Sequence, residues 1–259
     1  MGAVKSTLSR LKAATLGQVA ARRATSALST ATFSMTFDDV PRSAVEHGVP
    51  VLLDHHAEAT FDVSAGLTPA KGYLDPSDIE ALRSHGFDVA CHTHSHYRLK
   101  HGTSRGLAVD AERNRAAFEG ALHLPRTRDF AYPCGEVNAA AKHRIGKDYA
   151  TAHSVYRGIN DSRSDLLLLR ANPLFTSSVD WDDVRRLLDD AAEANAWVTF
   201  YTHGVDPNPD ERSCVPDDLG RLLDECHRAG LAVRSVRSVS EELVPGWTPG
   251  QPDQPGRVG

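Results

Sequence analysis

The chain has 259 residues, with 29 lysines and arginines against 34 aspartates and glutamates, so its formal charge is −5 when histidine is neutral. A net negative charge argues against a nucleic-acid-binding protein and against a protein held on anionic membranes by bulk charge. Hydrophobic residues make up 41% and charged residues 24% of the sequence, as in ordinary globular proteins, and the length suits one large domain or two small ones.

The two ends of the chain differ in composition from the middle. Residues 1–32 carry five lysines and arginines and no acid, which predicts a basic extension that is helical or frayed. Residues 246–259 are rich in proline and glycine, which predicts a disordered tail. We therefore assign the folded domain to residues 33–245. The sequence contains neither a transmembrane segment of ~20 apolar residues nor the apolar core of a secretory signal, which favours a cytoplasmic location.

Short β-rich runs alternate with helical patterns over most of the chain. Strands are predicted near 33–38, 59–64, 87–91, 129–133, 150–155, 166–170, 197–203 and 231–236. Helices are predicted near 42–54, 76–85, 108–122, 136–146, 180–195 and 216–229. Because strand and helix follow each other repeatedly, we expect an α/β fold with βαβ crossovers, in which seven to eight mainly parallel strands form a distorted or partly open (β/α) barrel.

Polar clusters follow four of the predicted strands. Asp38 and Asp39 end the first strand, residues 92–96 follow the third, residues 133–135 follow the fourth, and His203 follows the seventh. In a barrel of parallel strands the active groups gather at the carboxyl ends of the strands. The four clusters are therefore predicted to form one site.

The two aspartates start on opposite faces of the first strand, because side chains alternate along a strand. Val40-Pro41 then breaks the strand, which lets both carboxylates turn toward one rim. Such a pair suits a division of labour in which one acid binds a cation and the other works as a base whose pKa the cation lowers. The alternative is that both aspartates cap the following helix.

The run His92-Thr93-His94-Ser95-His96 permits two ways of binding a metal ion. On a continuing strand, His92 and His96 would lie about 13 Å apart and could not share an ion, whereas His92 and His94 could. If the chain instead enters a helical turn after His92, the side chains of His92 and His96 converge. Three histidines beside an acidic strand end favour metal binding over isolated imidazoles in either case.

Asp39 with His92 and His96 would supply three nitrogen and oxygen ligands and leave an open position for water and substrate. Zn²⁺ fits these ligand types best, and Co²⁺, Ni²⁺, Fe²⁺ or Mn²⁺ are compatible with them.

From about Phe33 to Leu243 the sequence resembles the polysaccharide deacetylase family, the NodB-homology family of carbohydrate esterases. Four motifs in the family's order carry the resemblance: Thr36-Phe37-Asp38-Asp39, His92-Thr93-His94-Ser95-His96, Phe130-Ala131-Tyr132-Pro133-Cys134-Gly135 and Trp197-Val198-Thr199-Phe200-Tyr201-Thr202-His203. The resemblance implies a distorted barrel of the NodB type. It also implies metal-dependent hydrolysis of acetamido or related acyl groups, with an N-acetylated sugar or glycan as substrate.

The resemblance also implies roles for individual residues. The three ligands above would hold the metal, Asp38 would be the general base, His203 the general acid, and the backbone N–H of Cys134 an oxyanion donor. These roles suit the chemistry, because an amide resists water unless a nucleophile is generated and the departing amine is protonated.

Three departures from the family pattern bear on this assignment. Many members carry an arginine where Ala131 stands, and that arginine holds the base aspartate. Arg170, at the end of the predicted strand 166–170, is the candidate substitute, with a surface arginine as the alternative. Cys134 replaces an aromatic residue that could stack on a sugar. Asp180 is either the remnant of a motif that orients the acidic histidine or, as we favour, the cap of the helix that follows.

We expect a metal-dependent hydrolase that removes N-acetyl groups. An O-acetyl esterase or an amidase acting on a non-sugar substrate would use the same residues. An amidohydrolase-type enzyme would instead use His92 and His94 together. The missing arginine and the altered third motif leave a catalytically silent protein that binds metal or glycan as the non-enzymatic alternative.

Overall fold

The computed structural model describes residues 21–68 and 70–250. Its strands are β1 (Thr32–Asp38), β2 (Thr60–Val63), β3 (Asp88–Cys91), β4 (Asp129–Ala131), β5 (Thr151–His153), β6 (Asn172–Pro173), β7 (Trp197–Thr202) and β8 (Ala232–Val233). The α-helices are α1 (Val49–Asp54), α2 (Pro76–Ser84), α3 (Ser104–Gly120), α4 (Ala139–Ile145), α5 (Trp181–Glu193), α6 (Pro216–Arg228) and α7 (Val236–Leu243). A π-helical turn at Ala44–Gly48 leads into α1.

The strands form one curled sheet in the order β5-β4-β3-β2-β1-β7-β6, and β8 pairs with the start of β1. The seven pairings between these strands are all parallel. The sheet curls into a half-barrel with helices around it, so the predicted distorted or partly open (β/α) barrel is confirmed. Its strands deliver their carboxyl ends to one rim.

The central strand β1 is buried along its whole length. Phe33, Met35 and Phe37 belong to the main hydrophobic core, and the ring of Phe37 stacks on Phe61 with centroids 4.7 Å apart. A strand of a parallel sheet that is covered on both faces is expected to be buried in this way. The alternate residues, which end in Asp38, lie on the opposite face of the strand.

The strand predicted at 166–170 is wrong. Only Leu169 makes a bridge, to His153 of β5, and the sixth strand lies instead at Asn172–Pro173. The cause is Asp165, whose carboxylate accepts the backbone N–H of Leu167 at 3.0 Å and turns the chain before a ladder can form. The predicted cap at Asp180 is present, since its side chain accepts the N–H groups of Asp182 and Asp183. Helix α7 was missed by the sequence patterns.

Residues 1–20 of the predicted basic extension, and all but Gly246–Gly250 of the predicted tail, lie outside the described residues. The part of the extension that is described packs on the barrel: the guanidinium of Arg22 is buried and donates to the carbonyl groups of Gly146, Tyr149 and Ala150 at 2.5–2.9 Å. The backbone N–H of Arg22 also donates to Asp165, at 3.1 Å. The domain limits of 33 and 245 stay predictions.

We predict that Asp165→Ala strongly destabilises the fold. Asp165 accepts Lys142 Nζ at 2.6 Å with both side chains almost fully buried, so the substitution leaves a buried ammonium group without this partner. The expected loss is about 3–5 kcal/mol in the free energy of unfolding, measured by urea titration. Asp148→Ala, which breaks a half-exposed ion pair with Arg126, is the matched control and should cost less than about 1 kcal/mol. Equal losses in the two variants would contradict this account.

Candidate metal and catalytic site

The first strand ends in an unusual turn that carries both aspartates to the rim. Asp39 and Val40 have positive φ angles of 61° and 48°, a conformation that β-branched residues such as valine rarely adopt. Because the strand ends at Asp38 and the turn begins at Asp39, the side chain of Asp39 does not project from the opposite face of the sheet. Both carboxylates face histidines of the same rim.

The carboxylate of Asp39 lies between two imidazoles. Asp39 Oδ1 is 3.6 Å from His92 Nε2 and 3.5 Å from His96 Nε2. The other ring nitrogen of His92 lies 3.0 Å from the carbonyl oxygen of Ala131, which fixes the ring and leaves Nε2 toward the site. One side-chain oxygen and two ring nitrogens thus converge on a common point.

The two histidines meet through a bend and not through the expected helical turn. Thr93 and His96 have positive φ angles of 62° and 52°, and Thr93 Oγ1 accepts the N–H of Tyr97 at 2.9 Å. The backbone of His94 is drawn away by Asp110, whose carbonyl oxygen accepts the His94 N–H at 3.1 Å. His94 is absent from the groups of possible metal ligands among the described residues. The geometry therefore does not support the pairing of His92 with His94.

These three residues fit a divalent cation. Asp39 Oδ1 is buried and makes no hydrogen bond to any described residue. Its distances to the two nitrogens are close to the roughly 3.4 Å that separates ligands about 2.1 Å from a tetrahedral ion. Burial lowers the pKa of His92 despite the opposing charges of Asp38 and Asp39, which favours the neutral imidazole that a metal requires. The ligand set of Asp39, His92 and His96 stays a prediction.

Asp38 sits beside this group and is nearly inaccessible, at 6% exposure. Burial alone raises the pKa of its carboxyl group, but the neighbouring imidazoles, led by that of His153, outweigh burial and lower the pKa to about 2. An ionised carboxylate at neutral pH can accept a proton, as the predicted base must.

His203 follows β7 and faces the same carboxylate from the other side. Its Nε2 is 3.9 Å from Asp39 Oδ2, and its Nδ1 is 3.2 Å from the carbonyl oxygen of Arg212. A backbone carbonyl, and not Asp180, therefore orients this ring. The side chain is 17% exposed, so a ligand in the cleft can reach it.

Cys134 and Arg170 complete the predicted residues. Cys134 lies in the short 3₁₀ turn Pro133–Gly135 with a φ angle of 55°, and it is the one exposed cysteine among four free ones. Arg170 donates through Nη1 to the carbonyl oxygen of Arg157 at 3.0 Å. Among the described residues, no contact joins Arg170 to Asp38, and the role given to it stays untested.

Two residues of this rim escaped the sequence analysis. Asp62 of β2 and His153 of β5 both face Asp38 and are almost fully buried. Asp62 precedes the last residue of β2 and His153 ends β5, but each lies two residues inside the end of the strand predicted for it, at 59–64 and 150–155, so the rule applied to the other four clusters did not select them.

The comparisons with known proteins bear on the family and the fold of the chain. The family model for polysaccharide deacetylases matches residues 26–151, just under half of the chain. A search of curated proteins finds no match.

No described helix has the length and apolar character that crossing a membrane requires.

Several solved structures share the fold. The Xyl-CE4 domain of a multidomain xylanase from the hindgut metagenome of Trinervitermes trinervoides is 16% identical, over 86% of this chain and 95% of that one, with a TM-score of 0.58. A family 4 carbohydrate esterase from Streptomyces lividans, in complex with acetate, is 21% identical over 78% and 91%, with a TM-score of 0.50. The Streptococcus pyogenes deacetylase PplD, in complex with acetate, is 22% identical over 54% of this chain, with a TM-score of 0.50. The match spans 62% of that protein.

We predict that His96→Ala weakens the binding of Zn²⁺ by at least about 100-fold, since loss of even an outer-sphere partner costs 10–100-fold. His94→Ala should retain the affinity, because His94 does not face the cluster. Competition with a chromogenic chelator measures both constants. Retention of Zn²⁺ by the first variant and its loss by the second would refute the ligand set.

Proposed function

We infer that this chain, a member of the polysaccharide deacetylase family, is a metal-dependent hydrolase that removes N-acetyl groups from an amino sugar or glycan. The observation that carries the proposal is the convergence of Asp39, His92 and His96 on one point, with Asp38 and His203 beside it. Two imidazoles and a carboxylate suit Zn²⁺, although Co²⁺, Ni²⁺, Fe²⁺ and Mn²⁺ accept the same donors.

The residues would share the work of hydrolysis as follows. A divalent cation held by Asp39, His92 and His96 would lower the pKa of water and polarise the acyl oxygen. Asp38, ionised at neutral pH, would take the proton of the attacking water. His203 Nε2 points into the same space and would give a proton to the departing nitrogen, while its Nδ1 stays on the Arg212 carbonyl.

The acyl oxygen needs a second source of positive charge as it becomes an oxyanion. The backbone N–H of Cys134 is the candidate, because the turn at Pro133–Gly135 directly follows β4 at the same rim. A backbone donor is fixed by the fold and needs no rearrangement as charge develops. The thiol itself plays no part in this proposal.

The family model and the names of the solved relatives support the proposed substrate class. The family model is that of polysaccharide deacetylases, and solved relatives are named as a carbohydrate esterase and as the domain of a xylanase. These names favour an acetylated carbohydrate over a peptide or nucleotide. The cytoplasmic location favoured by the sequence stays a prediction.

A catalytically silent metal-binding or glycan-binding protein is the second candidate. The observation that favours it is Ala131, which is buried and offers no charged group to Asp38. A metal-loaded protein that releases no acetate from any acetylated substrate, but binds oligosaccharides, would establish that alternative.

We predict that acetate release from N-acetylated chito-oligosaccharides stops when the metal is removed by a chelator and returns with Zn²⁺.

We also predict that Asp38→Asn lowers kcat by about 10²–10⁴-fold with the metal retained, because the variant keeps the shape of the side chain but cannot accept the proton. Asp190→Asn, on the exposed face of α5, is the matched control. Full activity of Asp38→Asn would remove the base from this scheme.

We further predict that His203→Ala discriminates amides from esters. Because an amine leaves poorly unless protonated and an alcohol leaves more easily, the variant should lose about 10²–10⁴-fold in kcat on N-acetyl substrates and clearly less on an activated acetate ester. Steady-state kinetics on the two substrate types with one preparation provides the measurement. Equal losses on both types would show that His203 does not protonate the leaving group.

A further inference from the structure

Three buried polar atoms that do not belong to the predicted metal ligands lie close together. His153 Nε2 is 3.7 Å from Asp38 Oδ1 and 3.7 Å from Asp62 Oδ2. None of the three atoms has a hydrogen-bond partner among the described residues. All three side chains are more than nine-tenths buried, so water does not solvate these atoms. In the described part of the chain, each atom can find a polar partner only in the other two.

The register of the sheet explains how His153 reaches Asp38. His153 ends β5 and pairs with Ala131 of β4, and paired residues of adjacent strands project from the same face of a sheet. The small side chain of Ala131 leaves the space beside it to the imidazole. On the other side of His153, the bridge to Leu169 closes the edge of the sheet and holds the strand end in place.

The chemistry of this cluster is suited to fixing the position of the Asp38 carboxylate. Asp38 needs a donor because a buried ionised carboxylate without one is strongly unfavourable. His153 Nε2 lies 3.7 Å from an oxygen of each carboxylate, so the tautomer that carries its hydrogen on Nε2 would place an N–H donor between them. Burial raises the pKa of Asp62 well above its usual value, and the charge of Asp38 raises it further, which disfavours a second negative charge beside Asp38. In unliganded sites such bonds are often long and tighten when substrate binds.

We propose that His153, supported by Asp62, is the positioning residue that orients the carboxylate of Asp38 for proton transfer. The proposal rests on the hydrolytic function proposed above. It gives β5 the task for which Arg170 was the sequence-based candidate, and it explains how a chain with alanine at 131 can keep a working base.

The kinetic test compares His153→Ala with His153→Gln, which retains an N–H donor at similar reach. We expect His153→Ala to lower kcat at least about tenfold, with KM and Zn²⁺ content unchanged, because misplacing a reacting group by 1 Å costs up to about 100-fold. His153→Gln should recover part of kcat. The double variant Ala131→Arg/His153→Ala should also recover part of kcat, because the arginine supplies a donor from the neighbouring strand. If the role of His153 were merely structural, this variant would not restore kcat.

Two results would overturn the proposal. Wild-type kcat in His153→Ala would show that Asp38 needs no such support. Two metal ions in the wild type and one in His153→Ala, measured by atomic emission, would make this cluster a second cation site. His227→Ala, on the exposed end of α6, controls for the general effect of losing an imidazole.

A measurement without substrate separates this proposal from the proposed function. In ¹⁵N-histidine NMR of the metal-free protein, Nε2 of His153 should carry a proton, and its resonance should shift in Asp38→Asn but not in Asp190→Asn. If the metal-loaded wild type releases no acetate, the proposed hydrolytic function is refuted. The NMR result still shows whether His153 Nε2 donates to Asp38. An unprotonated Nε2 would refute the contact even in an active enzyme.

Discussion

Asp39 Oδ1 has no hydrogen-bond partner in the described part of the chain, yet it lies 3.5–3.6 Å from two imidazole nitrogens that come from a different loop. Building this arrangement requires an unusual backbone. Of the eight non-glycine residues with positive φ in the described chain, five are Asp39, Val40, Thr93, His96 and Cys134. Such conformations cost of order 1–3 kcal/mol each and persist only where the surrounding structure enforces them. The parallel sheet provides that enforcement, because each strained residue follows a strand that is buried and paired on both sides.

The same sheet explains why the architecture and much of the rim were predictable. Alternation of β-rich and helical runs depends on local periodicity, which a sequence displays directly. Asp38, His92 and His203 were identified because polar residues that follow apolar strands are conspicuous. The strand expected at 166–170 was wrong because one side chain, that of Asp165, redirects the backbone, and the periodicity of four leucines carries no sign of that event.

Other features depend on contacts between distant parts of the chain. The convergence of His92 and His96 was anticipated, but through a helical turn, since a left-handed threonine is not something that propensity suggests. His153 stands alone in a run of small residues, and its partner Asp62 is 91 residues earlier. Only the pairing of β4 with β5, which sets His153 beside Ala131, shows what the imidazole faces.

The four cysteines differ in exposure, which allows one of them to be labelled selectively. Cys91, Cys214 and Cys226 are buried, whereas Cys134 is exposed in the turn that follows β4. Burial of its neighbourhood raises the pKa of the Cys134 thiol, so alkylation should be slow near neutral pH and faster in mild alkali. A maleimide fluorophore would therefore attach at a single position in the native protein, beside the rim that carries Asp39, where its emission can report the binding of a ligand without any need for turnover.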